Sequence, residues 1–348
     1  MLSPKNSPLG ELLSQYVYLR IVRLDNVDIG LFDYDRNNAI YFFAMNADEQ
    51  IYLRYGGRDS ASADTYLNVD SLRVALRHGL DLHQRYRKGE LAKTVRPKAM
   101  SAREIPLLVK RTYASGNCVE CHLIGDFQNL EREANGTLDK VTHLYRSPDI
   151  KTIGLHLDVP KGLVLAEAKG AAESAGLRAG DRITLLNDVP VYSFGDLQHA
   201  YDKVNRKATE VKLTADRAGQ SVAATVALPP RWWWTDLRFR QSSVDPRIYF
   251  EDRPMTAEAR TKLGLKANGF ASEVKHVPDF ARVMKVHELK VGDVIYAVDG
   301  VETDDIAHTA ELYLKVKKNV GDTVKLSVLR DGKKLEMSLK STRMSFRK

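Results

Sequence analysis

The sequence predicts an α/β and mainly-β multidomain protein, with an α/β region first and two mainly-β units after it. Three observations carry that expectation. A hairpin pattern followed by an amphipathic helix pattern fills the first hundred residues. A stretch of the second half recurs at an offset of roughly 112 residues, too long for a solenoid unit and suited to a duplicated domain. The 348 residues also exceed the roughly 250–300 at which a single core stops growing.

In chain order, residues 16–21 (Tyr-Val-Tyr-Leu-Arg-Ile) read as a strand, and residues 39–45 as a buried one. Residues 46–49 make a turn into a further strand over 50–55, so these last two form a hairpin, and Gly56-Gly57 ends it. Asp70 then caps a helix that carries Leu72, Leu76 and Leu80 on one face. Ser101 with Glu104 three residues on is a capping-box pattern, opening a second helix with Ile105, Leu108 and Val109 on its apolar side. Gly116 stops it, which leaves the next residues on an exposed polar loop at a helix exit.

Those next residues are Cys118-Val119-Glu120-Cys121-His122, and they contain both cysteines of the chain. Two thiols at this spacing can form thioethers with a porphyrin, and the adjacent imidazole can ligate its iron, so covalent haem c is the first reading. Cys118, Cys121 and His122 would hold it, with His143 the first candidate for the sixth ligand and Met100 and His156 behind it. Two alternatives stay open. The pair can cycle between dithiol and disulfide, or it can join His122 and a fourth ligand, His143 or an acidic side chain, around zinc, although a second cysteine pair is absent.

The repeat is read from Gly176-Leu177-Arg178-Ala179-Gly180-Asp181-Arg182-Ile183, echoed by Glu288-Leu289-Lys290-Val291-Gly292-Asp293-Val294-Ile295. Arg217 and Gly219 are likewise echoed by Arg330 and Gly332. The predicted boundaries are 1–100 for the first domain, 101–150 for the helix and cysteine segment, 151–228 and 263–342 for the repeats, and 229–262 for a Trp-rich linker. Trp232-Trp233-Trp234 reads as packing surface, against the alternatives of a stacking platform or a membrane-interface anchor.

With the Ala175–Asp181 run and Asn187-Asp188-Val189-Pro190-Val191, the repeats resemble the PDZ domains of bacterial envelope proteins, the second copy in diverged form. Asp33-Tyr34-Asp35 before the hairpin and Arg54-Tyr55-Gly56-Gly57-Arg58-Asp59 after it resemble the later half of a thioredoxin-like domain. The whole is most similar to the thioredoxin-plus-PDZ (seleno)proteins of planctomycete-type bacteria. That resemblance implies an upstream redox pair, which no cysteine before Cys118 supplies. The chain is therefore expected to begin inside that domain, and thiol exchange is not carried over. The resemblance also implies a periplasmic or cell-envelope location, although the first residues are no signal peptide.

A PDZ resemblance implies grooves that take protein or peptide C-termini as an added strand, the terminal carboxylate being held by backbone N–H groups. In the first copy the carboxylate loop would be Thr152-Ile153-Gly154-Leu155 and the helical wall Phe194, Leu197, Ala200 and Tyr201. In the second, Leu263-Gly264-Leu265 and a helix around Ile306, Ala310 and Tyr313 would correspond. No protease triad or Gly-x-Ser-x-Gly elbow is present, so an enzyme is not expected. The net charge of +8 is spread without a dense arm, which argues against a nucleic-acid partner and leaves room for a weak attraction to anionic surfaces, a membrane surface among them. No apolar run approaches the roughly 20 residues of a membrane helix.

Overall fold

The structure, a computed structural model, describes residues 4, 6–116, 119–235, 246–283, 286–304 and 307–343, with backbone only at 115 and 282. The chain divides into two units, Met1–Gln241 and Ser242–Lys348. Of the predicted site residues, Cys118 and Ile306 lie outside the described residues.

The first unit opens with helix α1 (Pro8–Leu13), whose first turn is held by the Ser7 side chain. The predicted hairpin forms from β1 (Phe42–Met45) and β2 (Ile51–Tyr55), paired antiparallel. Helix α2 (Val69–Arg87) lays Leu72 and Ala75 against Ala44, Leu53 and Tyr55 of the hairpin. Its cap is Asn68, not Asp70. The Asn68 side chain accepts the N–H groups of Asp70 and Ser71, so Asp70 is already inside the first turn. The strand expected over 16–21 is also absent. Val17 and Leu19 are 92% and 87% exposed, and no described strand lies beside them to pair with.

The capping box at Ser101 and Glu104 forms as predicted, but it closes only a single 3-10 turn. Ile105 precedes a proline and is extended, which ends that turn, and Pro106 then opens α3 (Pro106–Arg111). Gly116 stops a second short turn at φ 70°, as expected of a left-handed stop. Two further helices follow, α4 (Cys121–Ala134) and α5 (Lys140–His143). Cys121 therefore opens a helix, where the sequence places it on a helix exit loop.

The first repeat begins at the 3-10 turn Ile150–Ile153 and runs β3 (Leu155–Leu157), β4 (Leu165–Ala168), α6 (Gly170–Ser174), β5 (Arg182–Leu186), β6 (Val189–Pro190), α7 (Phe194–Asp202), β7 (Glu210–Arg217) and β8 (Gln220–Ala227). Its sheets are β3-β4 and β6-β5-β7-β8, linked by a bridge between Val164 and Arg182. The second unit runs β9 (Glu251–Pro254), α8 (Ala257–Lys262), β10 (Ser272–His276), α9 (Asp279–Val283), β11 (Val294–Val298), α10 (Ala310–Lys317), β12 (Thr323–Arg330) and β13 (Lys333–Lys340). Its strands form one antiparallel sheet in the order β13-β12-β11-β10-β9. Elements β9 and α8 thus belong to this sheet and its connections, although the sequence assigns their residues to a linker.

The two repeats agree in local detail. The β5–β7 ladder breaks register between Ile183 and Leu185, and the β11–β12 ladder breaks at the matching place, between Ile295 and Ala297. Both closing hairpins turn through two residues at positive φ, Ala218-Gly219 and Asp331-Gly332, the twist that suits antiparallel strands. In each, a buried aspartate accepts a two-pronged arginine: Arg217 Nε and Nη2 reach Asp181 at 2.7 Å, and Arg330 reaches Asp293 at 2.7 Å. The same carboxylates accept the N–H of Arg178 and of Lys290, which fixes the turn before each following strand.

Candidate functional site

The residues predicted for the first groove do come together. Phe194, Leu197 and Tyr201 share one buried face of α7, and Thr152 Oγ1 lies 3.1 Å from the Tyr201 hydroxyl. Ile153 and Leu155 are buried as well. The loop, however, spends its N–H groups on itself: Thr152 donates to the Asp149 carbonyl and Gly154 to the Lys151 carbonyl, both at 3.0 Å.

The helical wall is covered as well. Tyr66 stacks on Phe194 with ring centroids 3.4 Å apart, and Gly57 packs so closely on the same ring that a Cβ there would overlap it. Gln198 Nε2 donates to the Arg58 carbonyl at 3.3 Å. At the other end, Trp232 packs on Tyr201, and its carbonyl accepts Thr152 Oγ1 at 2.8 Å. Trp233 sits edge-on to Tyr145. Trp232 and Trp233 are thus buried inside the first unit, consistent with packing surface and not with a membrane anchor.

Charge reinforces this closure. Lys151 Nζ meets the Asp59 carboxylate at 2.5 Å. Burial pushes Asp59 up, but Lys151, Thr65 and the Ala61 N–H outweigh it and hold the carboxyl below its usual range. Asp196, in the first turn of α7, accepts the Arg54 N–H from β2 at 2.8 Å. Burial pushes that carboxyl up to about 7 despite the N–H bonds from Arg54 and Tyr192. Asp59, Tyr66, Lys151 and Asp196 escaped the sequence reading; the only available signal was the Gly-Gly-Arg-Asp run at the end of the hairpin.

The second repeat is arranged differently. Its counterpart of the 152–155 loop is the segment before β9, where Tyr249 takes the positive φ (55°) that Gly154 takes (85°) before β3. The predicted loop Leu263-Gly264-Leu265 is instead the end of α8. Leu265 N–H returns to the Arg260 carbonyl and Gly264 N–H to Thr261, the bonding of a helix stop built on a left-handed glycine. Strand β9 is the sheet edge, with Arg253 and Pro254 exposed and no described strand beyond it. Helix α10 is tied to it at one end: Asp252 of β9 accepts the Glu311 N–H at 3.0 Å and the Ser272 hydroxyl. Burial and the Glu311 charge push Asp252 up to about 7. Tyr313 stacks on Phe270, and Ala310 is buried.

At the cysteine segment, Cys121 is exposed and lies against the Tyr34 phenol, which burial and this thiol push up to about 12. The His122 ring sits between two acids, Nε2 at 2.8 Å from Glu120 and Nδ1 at 3.3 Å from Asp126. The hydrogen bond to Asp126, followed by that to Glu120, raises its pKa. The structure does not bring His143 to His122. His143 lies beside Asn129, seven residues further along α4 and so about 10 Å up the helix. Met100 Sδ touches Gln128, and His156 pairs across to Glu167 in the β3–β4 ladder. Among the described residues no group of three or more His, Cys, Asp and Glu side chains is placed to hold a metal.

No helix among the described residues is long and apolar enough to cross a membrane. No curated protein matches the chain. Solved structures of the HtrA-type protease AlgW match in part. AlgW with a tripeptide is 20% identical at a TM-score of 0.25, the match covering 52% of this chain and 58% of that one. AlgW with a decapeptide is 15% identical at a TM-score of 0.23, covering 42% and 53%. The chain thus spans little more than half the length of these structures. Neither a thioredoxin-like family nor the planctomycete-type family is supported by these comparisons. The PDZ domain family matches residues 276–340, from the end of β10 to the end of β13, so a PDZ domain lies in the second unit.

Proposed function

We propose that the protein is a peptide-binding scaffold whose working site is the second repeat, where β9 and α10 receive the extended C-terminal segment of a protein partner. The observation that carries this is a PDZ match over 276–340 in a unit whose sheet ends at β9, paired to β10 on one side and with no described strand on the other. The open side of an edge strand offers a row of backbone donors and acceptors, and an extended peptide adds to it with little other cost. The first repeat is on this reading a second PDZ-type unit with the same turns and ion pairs, its groove filled from within.

The test is an array of peptides with free C-termini, followed by fluorescence polarisation on the hits. Peptides that bind only with a free carboxylate support the proposal. No binding across the array, or equal binding by amidated peptides, sinks it. Covalent haem c at Cys118, Cys121 and His122, with zinc as the alternative, is a separate proposal favoured by the exposure of Cys121. Protein matured with the attachment machinery should be red after denaturation, and a colourless product rejects the haem. An envelope location belongs to the same proposal.

A further inference from the structure

We propose that the first repeat carries an autoinhibited peptide site, occupied by the chain's own segment 56–59, with the Asp59 side chain standing where a ligand's terminal carboxylate would be held. This rests on reading residues 150–228 as a PDZ-type unit. The segment leaves β2 and meets the groove at three successive residues. Gly57 lies on Phe194 at the start of α7, the Arg58 carbonyl accepts from Gln198 one turn on, and Asp59 reaches Lys151 in the loop at the far end. Phe194 and Gln198 are four apart and so share a helix face, which makes the three contacts a line along one wall.

The residue types fit that path. Gly56 and Gly57 sit at φ 132° and 146°, where side chains are disfavoured, and a Cβ at Gly57 would run into the Phe194 ring. Asp59 is buried, and besides its Lys151 contact it is held by Thr65 Oγ1 at 2.7 Å and the Ala61 N–H at 2.8 Å. A segment that served only to pack would have no need of a buried acid aimed at the loop lysine. Because the occupant is tethered, its effective concentration is high and even a weak contact stays closed. The competitor that fits is an extended peptide with a glycine two residues before the terminal carboxylate, in the place of Gly57.

The probe is a labelled synthetic peptide with the sequence of residues 54–59 and a free C-terminus, titrated into the full chain. Gly57→Val, which cannot seat against Phe194, should bind it at least ten-fold more tightly than wild type, and adding Lys151→Ala should remove that gain. Asp59→Asn, nearly isosteric, provides a second opened variant should Gly57→Val not fold. Equal binding by wild type and a folded opened variant overturns the proposal, as does binding that ignores Lys151→Ala. Array peptides bound at the second repeat should be indifferent to Lys151→Ala, so failure here and failure of the second-repeat site are separate results.

Discussion

The first and second repeats share a skeleton and differ in what lies along their grooves. Each has the same register break, the same two-residue hairpin turn at positive φ, and the same arginine clamped on a buried aspartate. In the first, α7 is covered from Phe194 to Tyr201 by Tyr66, the 57–59 segment and Trp232. In the second, β9 ends its sheet with Arg253 and Pro254 exposed. The lesson is that the residues holding such a fold together are separable from those deciding whether its groove is available. An apolar helix wall is equally buried in both and says nothing about vacancy.

The largest expected effect tests the shared skeleton. Asp181→Ala and Asp293→Ala each leave an arginine without its buried partner, at a cost of about 3 kcal/mol. All three tryptophans lie at 232–234, so tryptophan fluorescence reports the first unit. Urea unfolding should show Asp181→Ala lowering the fluorescence midpoint, with Asp293→Ala lowering a circular-dichroism transition instead. Unequal losses would mean that the clamps are not equivalent.

The next test uses the two buried carboxyls, Asp196 and Asp252, both pushed up to about 7 by burial. An unfolded aspartate loses its proton near 4. Between these values the unfolded chain sheds more protons than the folded one, so stability falls as pH rises from about 4 to about 7 and is level above. Asp196→Asn should flatten this slope in the fluorescence transition and Asp252→Asn in the other. A slope unchanged by either variant contradicts the account of that site.

The smallest effect separates the two helix starts. Ser193 and Thr309 cap α7 and α10 through the N–H groups of Asp196 and Leu312. Replacing either with alanine should cost about 1 kcal/mol. Ser193 also bonds the Arg54 carbonyl on β2, so Ser193→Ala should lose more, again read as a shift in the urea midpoint.

The sequence showed the elements whose signal is local. The β1–β2 hairpin, the capping box at Ser101, the stop at Gly116 and the paired Gly-Asp turns all depend on residues within a few positions of one another. Leu263-Gly264-Leu265 shows how such a signal misleads. A Leu-Gly-Leu triplet serves as a helix stop and as a binding loop, and only the carbonyl it returns to, Arg260, distinguishes them. Residues 16–21 carried strand propensity without a partner, and propensity cannot supply one. The closed first groove was out of reach because its contacts join distant positions, 92 residues apart for Asp59 with Lys151 and 139 and 142 apart for Arg54 with Ser193 and Asp196. The thioredoxin-like resemblance anticipated a hairpin and a helix, and these form, without that family being supported.

The most direct test of the central claim is hydrogen–deuterium exchange of the full chain with and without a peptide from the array. The account predicts new protection at 247–254 and 310–317, with 150–157 and 194–202 unchanged. Protection confined to the first repeat, with β9 exchanging as before, would contradict it.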